Sequence, residues 1–213
     1  MNLPTKITCV RIAMVITIII ILACLYISGY YFDWSSPNIG NIDIVYLSIF
    51  VIFIVASATD WLDGYLARKL HQVTNLGKFL DPIADKMLIN AMLIFLIFPS
   101  TFSRVQFITM PVFSVILLVV RDIVVDGFRI IAARKNVVIA ASMWGKVKTV
   151  LEMVTISLVL LNGFPFFYLF KEQIHVQFVI DGFAYLTAIV SIIGGFLYIF
   201  KNRAVLKEEV KHE

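Results

Sequence analysis

Charge is what this sequence has least of. Only 15% of its 213 residues are charged while 61% are hydrophobic, and the mean hydropathy is +0.94. That balance excludes a soluble domain of ordinary make-up and makes a bilayer the expected solvent. Cysteine is almost absent. Cys9 and Cys24 are about four helical turns apart on one expected helix, too distant to bridge, and no Cys/His metal spacing occurs, so disulfide, thiol and zinc chemistry are set aside. Histidine is as sparse, and His71, His175 and His212 read as loop or tail residues and not ligands. No soluble domain, linker, low-complexity tract or clear repeat interrupts the chain, so residues 1–213 read as a single membrane domain. The pI near 9.1 comes with no nucleic-acid motif. Membrane topology and anionic lipid account for it, and no nucleic-acid partner is expected.

What the sequence does have is apolar runs. Stretches at about 8–30, 42–67, 80–98, 107–133, 144–163 and 178–200 each approach the roughly 20 residues that cross a bilayer. The expected fold is therefore an all-α integral membrane protein of six transmembrane helices. The first run is too long for a secretory signal and lacks its small-residue cleavage site, so it is expected to be retained. Lys and Arg gather at the N-terminus, after helices two and four, and at the C-terminus, whereas the opposite loops carry only Arg104 and Lys171. That asymmetry places both termini, and the loop after helix two, in the cytoplasm. "SSPNIGN", "FPSTFS" and "NGFPFF" supply turns between helices, and the charged tail from Lys201 reads as a solvated helical end.

That cytoplasmic edge carries "DWLDGYLARKLHQVTNLGKFLDPIADK", Asp60 to Lys86. Asp60 and Asp63 are three apart, so on a helix their carboxylates share a side, which Gly64 and Ala67 extend with almost no bulk. Asp81 and Asp85 are four apart at the start of the next run, with Pro82 suited to a first turn. Four converging carboxylates cannot all stay ionised without a cation. Oxygen ligands without Cys or His favour Mg²⁺, Mn²⁺ or Ca²⁺, and two such ions suit phosphoryl chemistry on a phosphate ester or diphosphate. Gly64 and Gly77 let backbone approach a ligand closely, and Arg68 offers a planar fork of donors to a phosphate. Helix capping is the plainer alternative. It accounts for Asp81 but not for Asp60 and Asp63 in the body of an apolar run. For Gly64, Ala67 and Gly77 the alternative is close helix packing.

The spacing Asp60-x2-Asp63-Gly64-x2-Ala67-Arg68-x8-Gly77-x3-Asp81-x3-Asp85 resembles the complete signature of the CDP-alcohol phosphatidyltransferases, with no position departing from it. The resemblance implies a six-helix CDP-alcohol phosphotransferase fold that forms a homodimer. It implies that Asp60, Asp63, Asp81 and Asp85 hold two divalent ions, Mg²⁺ or Mn²⁺, at the diphosphate of a CDP-linked lipid. Asp63, Gly64, Ala67, Arg68 and Gly77 would contact that CDP-lipid, and Asp85 would also be the general base.

A second stretch, "RDIVVDGFRIIAARKNVVIAASMWGKVKT" from Arg121 to Thr149, adds a cluster of cations. A metal-bound diphosphate does not need so many, so the second substrate is expected to be an anion, most simply a phosphate held by Arg121, Arg129 and Lys146. Positive-inside topology alone explains Arg134, Lys135 and Lys148, whereas Arg121 and Arg129 are expected to lie deeper. Asp122, Asp126 and Arg129 share a face at i, i+4 and i+7, which leaves a structural ion pair as the alternative for Arg129. This stretch, with "NLPTKITCVRI" at the start, is similar to the bacterial phosphatidylglycerophosphate synthases, although Thr5 replaces a frequent Asn. The similarity implies CDP-diacylglycerol and sn-glycerol 3-phosphate as substrates, at the cytoplasmic face of a bacterial plasma membrane. A sibling enzyme using inositol phosphate or another alcohol is the nearest rival. A divalent-cation transporter is the remote one, disfavoured because the acidic cluster sits at one end of the expected bundle.

Overall fold

A computed structural model of the chain describes residues 3–31, 37–69, 86–101, 103, 106–135, 137, 139, 142–170 and 172–206; for 3–8, 11, 60–69, 205 and 206 it describes backbone only. Among these, each expected apolar run contains a helix. In chain order they are α1 (Leu3–Tyr31), α2 (Ile44–Lys69), α3 (Lys86–Phe95), α4 (Val112–Arg134), α5 (Met143–Leu160) and α6 (Gln173–Lys201). Two stretches, Ile12–Tyr31 of α1 and Gln173–Lys201 of α6, are long and apolar enough to cross a membrane by length and composition. The apolar parts described in α2 and α3, Ile44–Thr59 and Lys86–Phe95, are shorter. Helices α4 and α5 do not join the long pair because charged residues, Arg121 to Arg129 in one and Lys146 to Glu152 in the other, break their apolar runs.

The core follows helical periodicity. Val15, Ile18 and Leu22 of α1, Tyr46, Ile49 and Phe53 of α2, and Val176, Ile180 and Ala184 of α6 are all buried, at spacings of three and four. Met92 and Leu93 of α3 and Ile156 and Leu160 of α5 complete the same cluster. The opposite faces remain apolar: Ile20, Ile123, Phe178 and Phe196 are each more than half exposed. A helix that is apolar all round belongs in a core or in lipid, and these faces have no protein over them.

Helix α6 packs against both α4 and α5, and α1 against α2. The α6 face turned to these neighbours is small, with Ala184, Ala188, Ser191, Gly194 and Gly195 buried. A Cβ on Gly194 would lie 2.7 Å from the Trp144 Cβ, and one on Gly195 would lie 2.9 Å from the Arg121 Nε. The two glycines therefore let α5 and the Arg121 side chain lie directly on the α6 backbone.

The turns account for the helix boundaries. In the first connection a two-residue hairpin, β1 (Asn38–Ile39) with β2 (Ile42–Asp43), replaces the simple turn expected there. Asp43 then caps α2, its Oδ1 accepting from Val45 N at 2.8 Å, a contact typically contributing about 0.5–2 kcal/mol. Helix α4 starts at Val112 and not near 107, because Pro111 is extended and residues 106–111 run outside any helix. Helix α5 stops at Leu160, where Asn162 and Gly163 take positive φ angles of 50° and 81°. Buried Asn162 also ties three connections together. Its Oδ1 accepts from Ile108 N at 3.0 Å, and its Nδ2 donates to Asn41 O at 2.9 Å. The C-terminal end departs from the expected helix: α6 ends at Lys201, capped by Asn202, and a 3-10 turn follows over Arg203–Leu206.

Candidate functional site

The charged side chains of α4 and α5 meet in one place. A cavity of about 220 Å³ is lined by Lys86 and Ile89 of α3, by Arg121, Asp122, Val125, Asp126 and Arg129 of α4, by Ser142 and residues of α5 from Gly145 to Glu152, and by Tyr198 of α6. Its floor is a set of buried charges. Asp122, Lys148 and Glu152 are 6%, 4% and 1% exposed. The Lys148 ammonium donates to both Asp122 oxygens, at 2.8 and 2.7 Å, and lies 2.7 Å from the Glu152 Oε1. Arg121 Nη1 donates to Asp122 Oδ1 at 3.1 Å, and its Nε donates to the Ser191 carbonyl at 3.0 Å across the space left by Gly195. Removing one partner from such a buried group costs roughly 3–5 kcal/mol, because it strands the other charge.

The rim is different. Lys86 pairs with Asp126, joining α3 to α4. Arg129 is exposed; its Nε donates to the Tyr198 hydroxyl at 3.3 Å, and its guanidinium lies 5.4 Å from the ring centroid. Lys146 is exposed on the first turn of α5, where Ser142 caps the helix by accepting from Gly145 N at 3.2 Å. Among the described residues five cations line the cavity against three carboxylates, and Arg129 and Lys146 are the two cations without a carboxylate partner there. Free cations beside a helix N-terminus favour an anion. The volume suits a small one, since drug-sized ligands occupy about 300–1,000 Å³.

The structure thus brings Arg121, Arg129 and Lys146 to one cavity, as their spacing suggests. Three expectations need correction. Arg129 does not pair with Asp122 or Asp126, because Lys148 and Lys86 take those carboxylates. Nor does Arg129 lie deeper than its neighbours; it is exposed at the rim. Lys148, assigned to topology from sequence, is buried between two carboxylates. Sequence reasoning passed over Glu152, whose i, i+4 relation to Lys148 inside an apolar run was the available signal. Asp60, Asp63, Gly64, Ala67 and Arg68 lie on the helical backbone of α2, their side chains outside the described set; Gly77, Asp81 and Asp85 lie outside the described residues altogether. Among the described residues no group of three or more His, Cys, Asp or Glu is placed to hold a metal.

The family model for CDP-alcohol phosphatidyltransferase matches residues 1–195, and the chain belongs to that family. Its relatives include the CDP-diacylglycerol–glycerol-3-phosphate 3-phosphatidyltransferase of Bacillus subtilis (strain 168), 40% identical over 209 residues that cover 97% of each chain. The Mycoplasma pneumoniae protein of the same name is 38% identical over 176 residues, covering 80% of this chain and 71% of the relative. That of Rickettsia bellii is 31% identical over 197 residues, covering 92% and 93%. Family membership and the two membrane-length helices make this a membrane protein, and the family uses divalent metal ions.

Proposed function

We propose that the chain transfers the phosphatidyl group of CDP-diacylglycerol to sn-glycerol 3-phosphate, giving phosphatidylglycerophosphate and CMP in phospholipid synthesis. The activity for which its relatives are named supports the reaction. One observation carries the choice of acceptor: a small cavity beside the N-terminus of α5 with two cations, Arg129 and Lys146, that have no carboxylate partner among the described residues, a setting that suits a phosphate dianion. Its wall includes Lys86, the residue that follows Asp85 in the sequence. With its phosphate at these cations, the acceptor turns its hydroxyl end toward α3 in this proposal.

In this reading Arg129 and Lys146 take the acceptor phosphate, with the spare donors of Arg121 beneath them. Asp85 removes the proton of the 1-hydroxyl, whose oxygen attacks the lipid-side phosphorus as the bond to CMP breaks. Asp63, Gly64, Ala67, Arg68 and Gly77 hold the CDP-lipid. Asp60, Asp63, Asp81 and Asp85 are an all-oxygen donor set suited to two Mg²⁺ or Mn²⁺ ions, which when bound supply charge stabilisation at the diphosphate. The remaining assignments are one domain over 1–213, six membrane-crossing helices, a homodimer, and a site on the cytoplasmic side of a bacterial plasma membrane. The many large apolar side chains on the outer faces of the helices support the membrane setting, since acyl chains can then stay in the bilayer throughout.

Arg129→Gln and Lys146→Gln test the acceptor site. Each raises the KM for glycerol 3-phosphate roughly tenfold or more, the scale of a lost charged hydrogen bond, while the KM for CDP-diacylglycerol stays within about twofold. Equal rises for both substrates would place these cations outside the acceptor site.

A further inference from the structure

The cavity floor holds a carboxylate that the reaction as described does not use. Glu152 is 1% exposed yet lines the cavity, and its Oε1 receives no aligned hydrogen bond. The Lys148 ammonium, 2.7 Å away, balances its charge, and two of that ammonium's three donors go to Asp122, so at most one is left for Glu152. An ionised carboxylate offers about four lone-pair sites, so Glu152 is compensated in charge and unsaturated in hydrogen bonding. Buried acceptors in that condition are matched by a ligand or by water. The hydrogen bonds shown for the cavity's arginines do not meet this need: those of Arg121 go to Asp122 and Ser191, and that of Arg129 goes to Tyr198.

We infer that Glu152 is a specificity-determining residue that accepts a hydrogen bond from a non-reacting hydroxyl of the acceptor. This rests on the proposed reading of the cavity as the acceptor site. With phosphate at Arg129 and Lys146 and the reacting hydroxyl toward α3, the hydroxyl left to meet the floor in glycerol 3-phosphate is the one on carbon 2. An acceptor lacking it leaves Oε1 with water at best. Sites built around a substrate hydroxyl discriminate strongly against analogues without it, here on the order of 10²-fold because water can enter from the rim.

The test compares sn-glycerol 3-phosphate with 3-hydroxypropyl phosphate, which keeps the phosphate and the reacting primary hydroxyl and lacks only the 2-hydroxyl. Wild-type protein is expected to favour glycerol 3-phosphate about 10²-fold in kcat/KM. In Glu152→Met the preference collapses to within a few-fold, mainly by loss on glycerol 3-phosphate. If Glu152 merely holds Lys148, the variant lowers both acceptors equally and keeps the ratio, which overturns the inference. Equal use of both acceptors by wild-type protein overturns it without any variant and leaves the proposed reaction standing. No CMP release with either acceptor overturns the proposed reaction, and this inference with it.

Discussion

Excess EDTA is expected to abolish CMP release from CDP-diacylglycerol by the purified protein, and added Mg²⁺ or Mn²⁺ to restore it. The reason lies in the spacing of Asp60, Asp63, Asp81 and Asp85 within 26 residues. Carboxylates gathered at a membrane edge repel one another and pay to leave water, so an arrangement that keeps all four ionised requires a divalent ion. The helical backbone of α2, which runs through Lys69, carries both Asp60 and Asp63. Asp60→Asn, Asp63→Asn and Asp81→Asn each lower kcat/KM by about 10²-fold or more and weaken metal binding in parallel, as removal of a charge-stabilising group does. Full turnover in EDTA, or a variant with wild-type metal affinity and rate, contradicts the assignment.

Asp85→Asn separates binding from chemistry. Three acidic residues remain for the ions, so CDP-diacylglycerol still binds, with some loss, while turnover falls by roughly 10²–10⁴-fold, the contribution of a positioned general base. Single-turnover kinetics beside equilibrium binding of the CDP-lipid make the distinction. A variant that binds normally and turns over within a few-fold of wild type removes Asp85 as the base and leaves the metal site in place.

Much of this was legible in the sequence because a bilayer leaves few solutions. Apolar runs of membrane length must be helical to satisfy their backbone, and the six runs read from hydropathy each contain a helix. Boundaries were less legible. Pro111 trimmed α4, and the positive φ angles at Asn162 and Gly163 trimmed α5, because backbone geometry at a single residue outweighs the hydropathy of its neighbours. The cavity was half legible. Arg121, Arg129 and Lys146 could be singled out as cations in excess of topology. Which carboxylate neutralises which cation depends on the rotation of α4 against α5, and hydropathy does not encode that rotation. Lys148 and Arg129 therefore exchanged roles, the first buried between Asp122 and Glu152 and the second at the rim without a carboxylate partner among the described residues. Gly194 and Gly195 carry no chemistry of their own, and only the contact of α6 with Trp144 and Arg121 reveals why they are glycine.

The central claim is a lipid transfer to a small phosphate-bearing acceptor, and one measurement reaches it directly. Purified protein in Mg²⁺ is given CDP-diacylglycerol with radiolabelled sn-glycerol 3-phosphate, inositol phosphate or unphosphorylated glycerol, and label entering the lipid phase is followed together with CMP. The account predicts stoichiometric CMP and labelled phosphatidylglycerophosphate with glycerol 3-phosphate, and at least about 10²-fold less product with the other two. Transfer to inositol phosphate or to free glycerol at a comparable rate, or no CMP from any of the three, contradicts it.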